Sequence, residues 1–505
     1  MVWHIKTYGR KTIYAPYTEE EFSNYGKNND KLYQRVIDII QQSIEIHNTN
    51  KRETLYLKDY YYGNQDIYIE KKKHTRPEIN NKTVENWAYA IIDFKKTYLL
   101  GKPIQYVQLD DASDEEISML NKYVRYENKK AKDMMLYEDM LVTGRGFRYQ
   151  NKDKDRDVDE APFELINCDP ENTEVVYSAA LGHKQLFSYI VTDFEKAVKV
   201  EDKEEPYYYQ EFTVYTKDLQ FVISNENGWV IKGDPIPLLY NKHLIREYFL
   251  NEKRIGLIEL GKDLFNDINY LESLDKDDME QFVNAIMVFT NAEVSAADIE
   301  AIKELGAVCI NSTDQKKASI DLLQGRLNAT DTQTYYSRLL NALHQILGVP
   351  VASDSGTVSY GDTGKARLTG QGYTSAGIRS EGDQTMFGMA DLRSLETILA
   401  ICKASNVSNI KNLKVSNVDT RFQRDMSDNL LVKTQGLLNL YACDIPRKYA
   451  NSIVNLFGDP TAVTKEQEKL FGEQVSQQSK GASSTNADEQ DNNIVNNEEK
   501  DNQGL

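Results

Sequence analysis

The spacing of hydrophobic residues changes twice along the chain. Up to about residue 143, apolar residues recur at three- and four-residue intervals, which is typical of amphipathic helices. From 144 to about 250 they alternate with polar residues and are mostly β-branched or aromatic, which indicates strands. Helical spacing returns at Ile255. Because helices and strands fall in separate blocks, the pattern predicts an α+β protein.

The first block is predicted to form four helices. They cover residues 32–46, 53–62, 84–100 and 113–142. The polar run 47–50 ends the first helix in this prediction, and Gly63 ends the second. Thr83 is the predicted N-cap of the third helix, and Ser113 with Glu116 forms a capping box for the fourth.

The second block is predicted to form one β-rich module of roughly a hundred residues. Its candidate strands are 147–150, 163–167, 173–177, 186–192, 207–216, 219–224 and 229–232. Gly144-Arg145-Gly146 is interpreted as the turn between the preceding helix and this module, because it lacks the spacing of a dinucleotide-binding loop.

The third block begins with an acidic helix, predicted over 257–280, that contains eight acidic and two basic residues. Glu259, Asp263 and Asp267 lie four residues apart, so they share one helical face. A polar, glycine-rich break occupies 348–364. The other predicted elements are strands at 285–289, 308–311 and 319–323, helices at 296–305, 330–347 and 365–404, and a small helical unit at about 426–457.

Charge narrows the possible functions. The 505 residues include 60 Lys and Arg against 78 Asp and Glu, a formal net charge of −18, which argues against a protein that grips nucleic acid or anionic lipid. We find no leader-like start and no apolar run of about 18 residues, so we expect a soluble chain that is intracellular when made. From 473 onward, seven acidic and two basic residues among Asn, Gln and Ser predict a disordered tail.

We find no motif that predicts catalysis or a cofactor. The sequence from Gly361 to Ala366 lacks the spacing and the hydroxyl of a phosphate-binding loop, and the six histidines lie far apart. We therefore assign no catalytic residue and no cofactor. The four cysteines, predicted to be reduced structural thiols, are Cys168, Cys309, Cys402 and Cys443.

Two acidic groups raise the question of a metal site. Asp153, Asp155, Asp157, Asp159 and Glu164 follow the ligand positions of a calcium-binding loop. Val158 stands where such a loop needs glycine, so a solvated hairpin loop is favoured. The helix 257–280 carries carboxylates of the kind that hold paired metals, but no histidine accompanies them and a solvated face is favoured.

Several segments, taken in order, resemble the portal proteins of tailed bacteriophages, specifically the family from phages with long non-contractile tails and Gram-positive hosts. The segments that carry the resemblance are Tyr60-Tyr61-Tyr62-Gly63, Asn80-Asn81, Tyr98-Leu99-Leu100-Gly101-Lys102-Pro103-Ile104, Cys168-Asp169-Pro170, Val175-Val176-Tyr177, the segment 251–256 and Leu347-Gly348-Val349-Pro350. Each is weak alone, and their order over residues 30–405 carries the resemblance.

The resemblance implies a portal-type subunit with several parts. They are an N-terminal arm (1–29), a wing (30–256) with a helical part (30–143) and a β-rich part (144–252), a first stem helix (257–280), a mixed α/β clip (281–328), a second stem helix (329–348), a channel loop (349–364), a long helix back into the wing (365–404), a helical crown (405–472) and the disordered acidic tail (473–505).

The resemblance also implies a function and a set of site residues. Such proteins form a ring, commonly of twelve, at one capsid vertex, and double-stranded DNA passes through the ring without sequence-specific binding. The expected channel-lining residues are Glu259, Asp263, Asp267, Val351, Ser353, Asp354, Ser355, Thr357, Lys365 and Arg367. The expected docking residues of the clip are Asp298, Glu300, Lys303 and Glu304.

The expected partners are further copies of the chain, the terminase large subunit that drives packaging, a head-to-tail adaptor, and the capsid and scaffolding proteins, with no membrane. The expected location is the virion, with assembly in the host cytoplasm. An acidic bore suits this role, since a basic one would hold phosphates and resist sliding. Two alternatives remain open: a metal-dependent phage nuclease that uses the helix 257–280, and a monomeric head adaptor or scaffolding module.

Overall fold

The structure is a computed structural model that describes residues 9–25, 29–74, 77–109, 114–153, 156–157, 160–200, 203–283, 286–290, 319–323, 329–350, 373–422, 430–454, 456, 463–464 and 466–470. Most of its strands fall in one stretch, from 145 to 249, between two mainly helical stretches, so the predicted α+β class is confirmed. The chain divides into two compact units. The first comprises Met1–Ile104 and Gln108–Arg424, and the second comprises Gln105–Val107 and Asp425–Leu505.

The described helices before residue 144 are α1 (Glu19–Tyr25), α2 (Asn29–Tyr61), α3 (Ile67–Glu70), α4 (Trp87–Leu100), α5 (Asp114–Tyr126) and α6 (Lys129–Thr143). The predicted break at 47–50 is wrong, because α2 runs through it without interruption. Asn50 explains the polar run: its Oδ1 accepts from the Lys11 backbone N–H at 2.9 Å, and its Nδ2 donates to Glu174 at 3.0 Å. The polar residues thus mark a buried contact and not a helix end.

The start of α4 also differs from the prediction. Asn86, not Thr83, is its N-cap, and the Asn86 side chain accepts a hydrogen bond from the Tyr89 N–H at 3.2 Å. Thr83 instead donates its backbone N–H to Ser273 at 2.9 Å. The segment before α4 is therefore bound to another part of the unit before the helix begins.

The helix predicted over 113–142 is two helices. Asn128 separates α5 from α6 with a φ of 50°, a left-handed conformation that ends the first helix. Ser113 lies outside the described residues, so its capping role stays a prediction. The Glu116 carboxylate accepts hydrogen bonds from the backbone N–H groups of Lys411 and Asn412 at 2.9 and 3.0 Å.

The strands form two sheets in place of the single predicted module. The strands of these two sheets are β1 (Ile13–Ala15), β3 (Arg145–Lys152), β4 (Phe163–Cys168), β5 (Thr173–Ser178), β6 (Gln185–Val200), β7 (Lys203–Tyr215), β8 (Leu219–Ser224), β9 (Val230–Pro237) and β10 (Ile245–Phe249). The strand β2 (Gln105–Gln108), earlier in the chain, belongs to neither of them. One sheet has the order β1-β5-β6-β7-β8-β9, and the other has the order β10-β3-β4. The first strand pairs parallel to β5 and was not predicted, because three residues are too few for a periodic signal.

The remaining described elements of the first unit are α7 (Leu257–Val283), β11 (Ile286–Thr290), β12 (Ser319–Leu323), α8 (Ala329–Leu347), α9 (Tyr373–Ala404) and β13 (Val418–Arg421). The short strands β11 and β12 pair antiparallel, as their predicted positions allowed. Ser394 and Asp391 of α9 bind the three-stranded sheet, through Gln150 at 2.7 Å and Tyr248 at 3.3 Å. The predicted helix 296–305, the strand 308–311 and residues 365–372 lie outside the described residues.

Two hydrophobic clusters organise this unit. One lies among α2, α4, α6, α7, α8 and α9, and Tyr60, Leu141 and Leu343 are fully buried in it. The other lies between the six-stranded sheet and the first half of α2, where Val36, Phe187 and Phe212 are fully buried. Because α2 contributes to both clusters, its unbroken length joins the sheet to the helical layer.

The chain crosses itself closely just before α7. Gly144 ends α6 with a φ of 83°, and a Cβ at this position would lie 2.0 Å from the Arg254 carbonyl oxygen. A Cβ at Gly256 would lie 2.3 Å from the Val142 carbonyl oxygen. The predicted turn between helix and sheet is present but shorter, because Gly144 alone forms it and Arg145 and Gly146 already belong to β3. The close crossing requires glycine on both segments of the chain.

The second unit contains α10 (Leu430–Ala442) and α11 (Arg447–Val454), in agreement with the helical segment predicted at 426–457. Asp444, with a φ of 58°, reverses the chain between them. The buried Asn451 links the helix pair, since it accepts from the Tyr441 hydroxyl at 2.6 Å and donates to Thr464 at 2.9 Å.

Gly261 provides a test of the contact between α7 and α8. A Cβ at this position would lie 3.1 and 3.2 Å from methyl groups of Leu343 and Leu347. We expect Gly261→Leu to destabilise the protein by about 1–3 kcal/mol, because a large side chain forces the two helices apart. Denaturant unfolding measures the change. The control is Gly382→Leu, at an exposed helical glycine with open space around it; equal stability of the two variants would contradict the close contact.

Candidate functional site

One face of α7 is a row of polar residues that binds the segment before α4. Asn269 accepts the Glu85 backbone N–H at 2.8 Å, and Ser273 accepts that of Thr83 at 2.9 Å. Both side chains are buried. These hydrogen bonds join this face of α7 to the backbone of the segment before α4 in the same subunit. The face is therefore unavailable to a ligand or a channel.

Asp277 ends this polar row in a buried ion pair. Its Oδ2 lies 2.7 Å from Lys71 Nζ, and the two side chains are 1 % and 3 % exposed. Its Oδ1 accepts the Asn81 backbone N–H at 2.7 Å. Burial alone would raise the pKa of Asp277, but the hydrogen bonds from Lys71 and Asn81 lower it. The carboxylate therefore stays charged and fixes the register of α7.

Glu259 does not line a channel, and this prediction is wrong. Its side chain is 2 % exposed and forms an ion pair with Arg10 at 2.6 Å. It also accepts the backbone N–H groups of Gly9 at 2.9 Å and Gly256 at 2.8 Å. The carboxylate thus caps the first turn of α7 and holds the N-terminal segment, because its negative charge suits a helix N-terminus.

The free face of α7 carries both acids and apolar residues. Asp263 and Asp267 are exposed, and Leu260 and Tyr270 are 51 % and 49 % exposed. The four residues follow one another at spacings of three, four and three, so they share one face. Partial burial, followed by the negative charge of Asp263, raises the pKa of Asp267. We call these four residues the free face of α7.

The other predicted site residues are not placed by the structure. Val351, Ser353, Asp354, Ser355, Thr357, Lys365 and Arg367 lie outside the described residues, and so do Asp298, Glu300, Lys303 and Glu304. Their channel-lining and docking roles stay predictions. Of the ten expected channel residues, the structure describes Glu259, Asp263 and Asp267.

Metal binding gains no support from the described residues. They contain no group of three or more His, Cys, Asp or Glu side chains that could hold an ion. At 153–164, Arg156 binds Asp153 at 2.7 Å within the loop between β3 and β4, although part of that loop is outside the described residues. No described helix is long and apolar enough to cross a bilayer.

Two of the four cysteines behave as buried thiols. Burial raises the pKa of both Cys168 and Cys402 to about 12, so neither is a thiolate at neutral pH. Cys443 is exposed, and none of these three forms a disulfide. Cys309 lies outside the described residues.

The bound polar row was missed from the sequence. Asn266, Asn269, Ser273 and Asp277 recur at spacings of three and four residues, which is a helical period. Asn and Ser are poor helix formers, and their recurrence on one face inside a long helix is the signal that indicates contacts with another backbone. The more conspicuous acidic stripe hid this pattern.

Comparison with known proteins identifies the family. The family model described as "Phage portal protein, SPP1 Gp6-like" matches residues 40–480, and the chain belongs to this family of phage portal proteins. A search of curated proteins gave no match. A solved structure described as the neck of an empty GTA particle computed with C6 symmetry is similar at 11 % identity over 73 % of this chain and 90 % of that chain, with a TM-score of 0.43. At that level the structural likeness carries no argument. The family match confirms the resemblance that the sequence motifs indicated.

Two aspartates of α7 test the distinction between its bound and free faces. We expect Asp277→Ala to destabilise the protein by about 3–5 kcal/mol, because it leaves the buried Lys71 ammonium without a counter-charge, bonded only to carbonyl oxygens. Asp263→Ala removes the same group from the free face and should change stability by less than about 0.5 kcal/mol. Denaturant unfolding of both variants is the measurement, and similar losses would show that the two faces are not distinct.

Proposed function

We propose that the chain is one subunit of a closed ring whose bore admits double-stranded DNA to the capsid and releases it, with α7 and α8 in the wall of the bore. The free face of α7 is the observation that carries this proposal. It belongs to a helix whose adjacent face is fixed by buried polar contacts, so the orientation of its carboxylates is fixed as well. A duplex that must slide needs a wall that does not hold phosphates, and aspartates meet that need.

Ring closure requires attraction between subunits that each carry a formal charge of −18. Apolar contact supplies it, because its strength does not depend on charge. Leu260 and Tyr270 of α7 are about half exposed, and so are Tyr335 (44 %) and Ile346 (50 %) of α8. We infer that these apolar side chains meet a second copy of the chain while Asp263 and Asp267 remain towards the bore.

The remaining assignments extend this proposal to parts of the chain that the structure describes incompletely. The clip (281–328) docks the terminase large subunit during packaging and the head-to-tail adaptor afterwards, with Asp298, Glu300, Lys303 and Glu304 as its contact residues. The channel loop (349–364) lines the narrowest part of the bore. In this proposal a ring of twelve sits at one capsid vertex of the virion after assembly in the host cytoplasm, and the ATP-driven motor is a separate protein.

Charge reversal on the free face tests the role of the aspartates. We expect rings of Asp263→Lys/Asp267→Lys to bind double-stranded DNA at low salt and to release it as salt rises, because lysines in the bore displace counterions from the phosphates. Wild-type rings should not retain DNA. The measurement is retention of a linear duplex by purified rings across a salt series.

The matched control is Glu195→Lys/Asp234→Lys, which makes the same charge change at exposed positions on the six-stranded sheet. This variant should behave as wild type. Equal DNA retention by the two variants would show that net charge, and not position in the bore, governs binding.

The apolar residues of the free face provide a test of ring formation. We expect Leu260→Glu/Tyr270→Glu to give folded single subunits in place of rings, because the added charges oppose contact between acidic subunits. Light scattering and negative-stain images measure assembly, and circular dichroism checks the fold. The control Leu181→Glu, at a fully exposed turn, should leave rings intact. Rings from the double variant would contradict the proposed interface.

A further inference from the structure

A cavity of about 480 Å³ within the first unit is lined by β10 and α9, and also by α1 and the turns of the six-stranded sheet. Arg246 of β10 and Arg393 of α9 both line it, together with Lys184, Lys217 and Lys242. Cations therefore dominate its wall, in a chain whose overall charge is strongly negative. The charged residues of this wall differ in whether they have a partner of opposite charge.

The acids at the cavity are already neutralised by other cations. Glu247 forms two hydrogen bonds with Arg254, at 3.0 and 2.9 Å. Glu396 pairs with Lys242 at 3.3 Å. Glu19 pairs with Lys184 at 2.9 Å and also with Lys217. Arg254 thus compensates Glu247, the three lysines share the carboxylates of Glu19 and Glu396, and the two arginines are left without an ion-pair partner.

Arg246, which is partly exposed, differs from the four buried arginines of this unit. Each of the others has a carboxylate partner: Arg10 with Glu259, Arg145 with Glu174, Arg148 with Asp133, and Arg254 with Glu247. Among the described residues, Arg246 forms no ion pair, and its one polar contact is with the Gln185 amide oxygen at 3.4 Å. Its Nε is shut off from solvent without a hydrogen-bond partner.

The pKa of Arg246 agrees with the lack of an ion pair. Burial lowers the pKa of its guanidinium; the negative charge of Glu396 opposes that effect without cancelling it, and the positive charge of Arg393 adds to it. A guanidinium with a buried, unpaired N–H and no ion-pair partner is costly, whereas an oxyanion that receives its donors in a fork removes that cost.

We propose that Arg246 and Arg393 bind an oxyanion, a phosphate or a carboxylate, in the cavity between β10 and α9. Since the two arginines belong to different elements, the bound anion ties the long helix to the sheet. The inference concerns this unit alone and does not depend on the ring or the bore.

The test is calorimetric titration of the full chain with inorganic phosphate, against chloride at the same ionic strength. We expect phosphate to bind the wild type and to raise its melting temperature, because a ligand that binds the folded state stabilises it. Arg246→Gln and Arg393→Gln should each weaken binding at least tenfold. Arg393 is exposed, so its variant tests the site even where Arg246→Gln alters folding. Lys196→Gln, a paired surface lysine away from the cavity, should bind as wild type.

Titration with glutamate at the same ionic strength distinguishes the two sources of the oxyanion. Competition by glutamate assigns the site to carboxylates, and phosphate binding without competition assigns it to phosphates. The proposal is overturned by two results: no heat and no change in melting temperature with either anion, or affinities of both arginine variants equal to that of wild type.

Discussion

The buried ion pair between Lys71 and Asp277 determines which face of α7 is left exposed. Together with Asn269 and Ser273 it attaches one side of the helix to the segment before α4, while Leu343 and Leu347 of α8 cover another. Only the remaining face of α7 is free, so its residues are the ones of this helix that can contact a partner outside the subunit. A helix with eight acidic residues in the stretch 257–280 would otherwise have no preferred orientation of its charges.

The internal charges follow one rule over most of the first unit. Buried cations meet buried carboxylates in well-aligned pairs, and Arg145 with Glu174 is the clearest example, with two contacts of 2.7 and 2.8 Å. Burial opposes the charge on Glu174, but Arg145 holds the pKa of that carboxylate at about 2. Such pairs contribute less to net stability than to fixing which elements meet, because each charge pays a desolvation cost. Arg246, partly exposed and without an ion pair among the described residues, departs from this rule.

Much of the fold was predictable from the sequence, because periodicity reports which face of an element is buried. The helices at 257–280 and 330–347 and most strands were found within a few residues. The break in α2 was predicted wrongly, since Asn50 carries the same local signal whether it ends a helix or binds Lys11 from within one. Periodicity also grouped Glu259 with Asp263 and Asp267. Separating them needs the position of Arg10, which is 249 residues away in the chain and comes near only through folding.

The crossing before α7 has a mechanical consequence. At Gly144 and Gly256 the backbones of two segments of the same chain are in direct contact. No side chain lies between these segments, so nothing there can compress or change rotamer. Side-chain layers are what allow packed helices to slide by small steps. The base of α7 therefore has no side-chain layer through which it could shift against α6, and a displacement of this helix is expected to arise further along it.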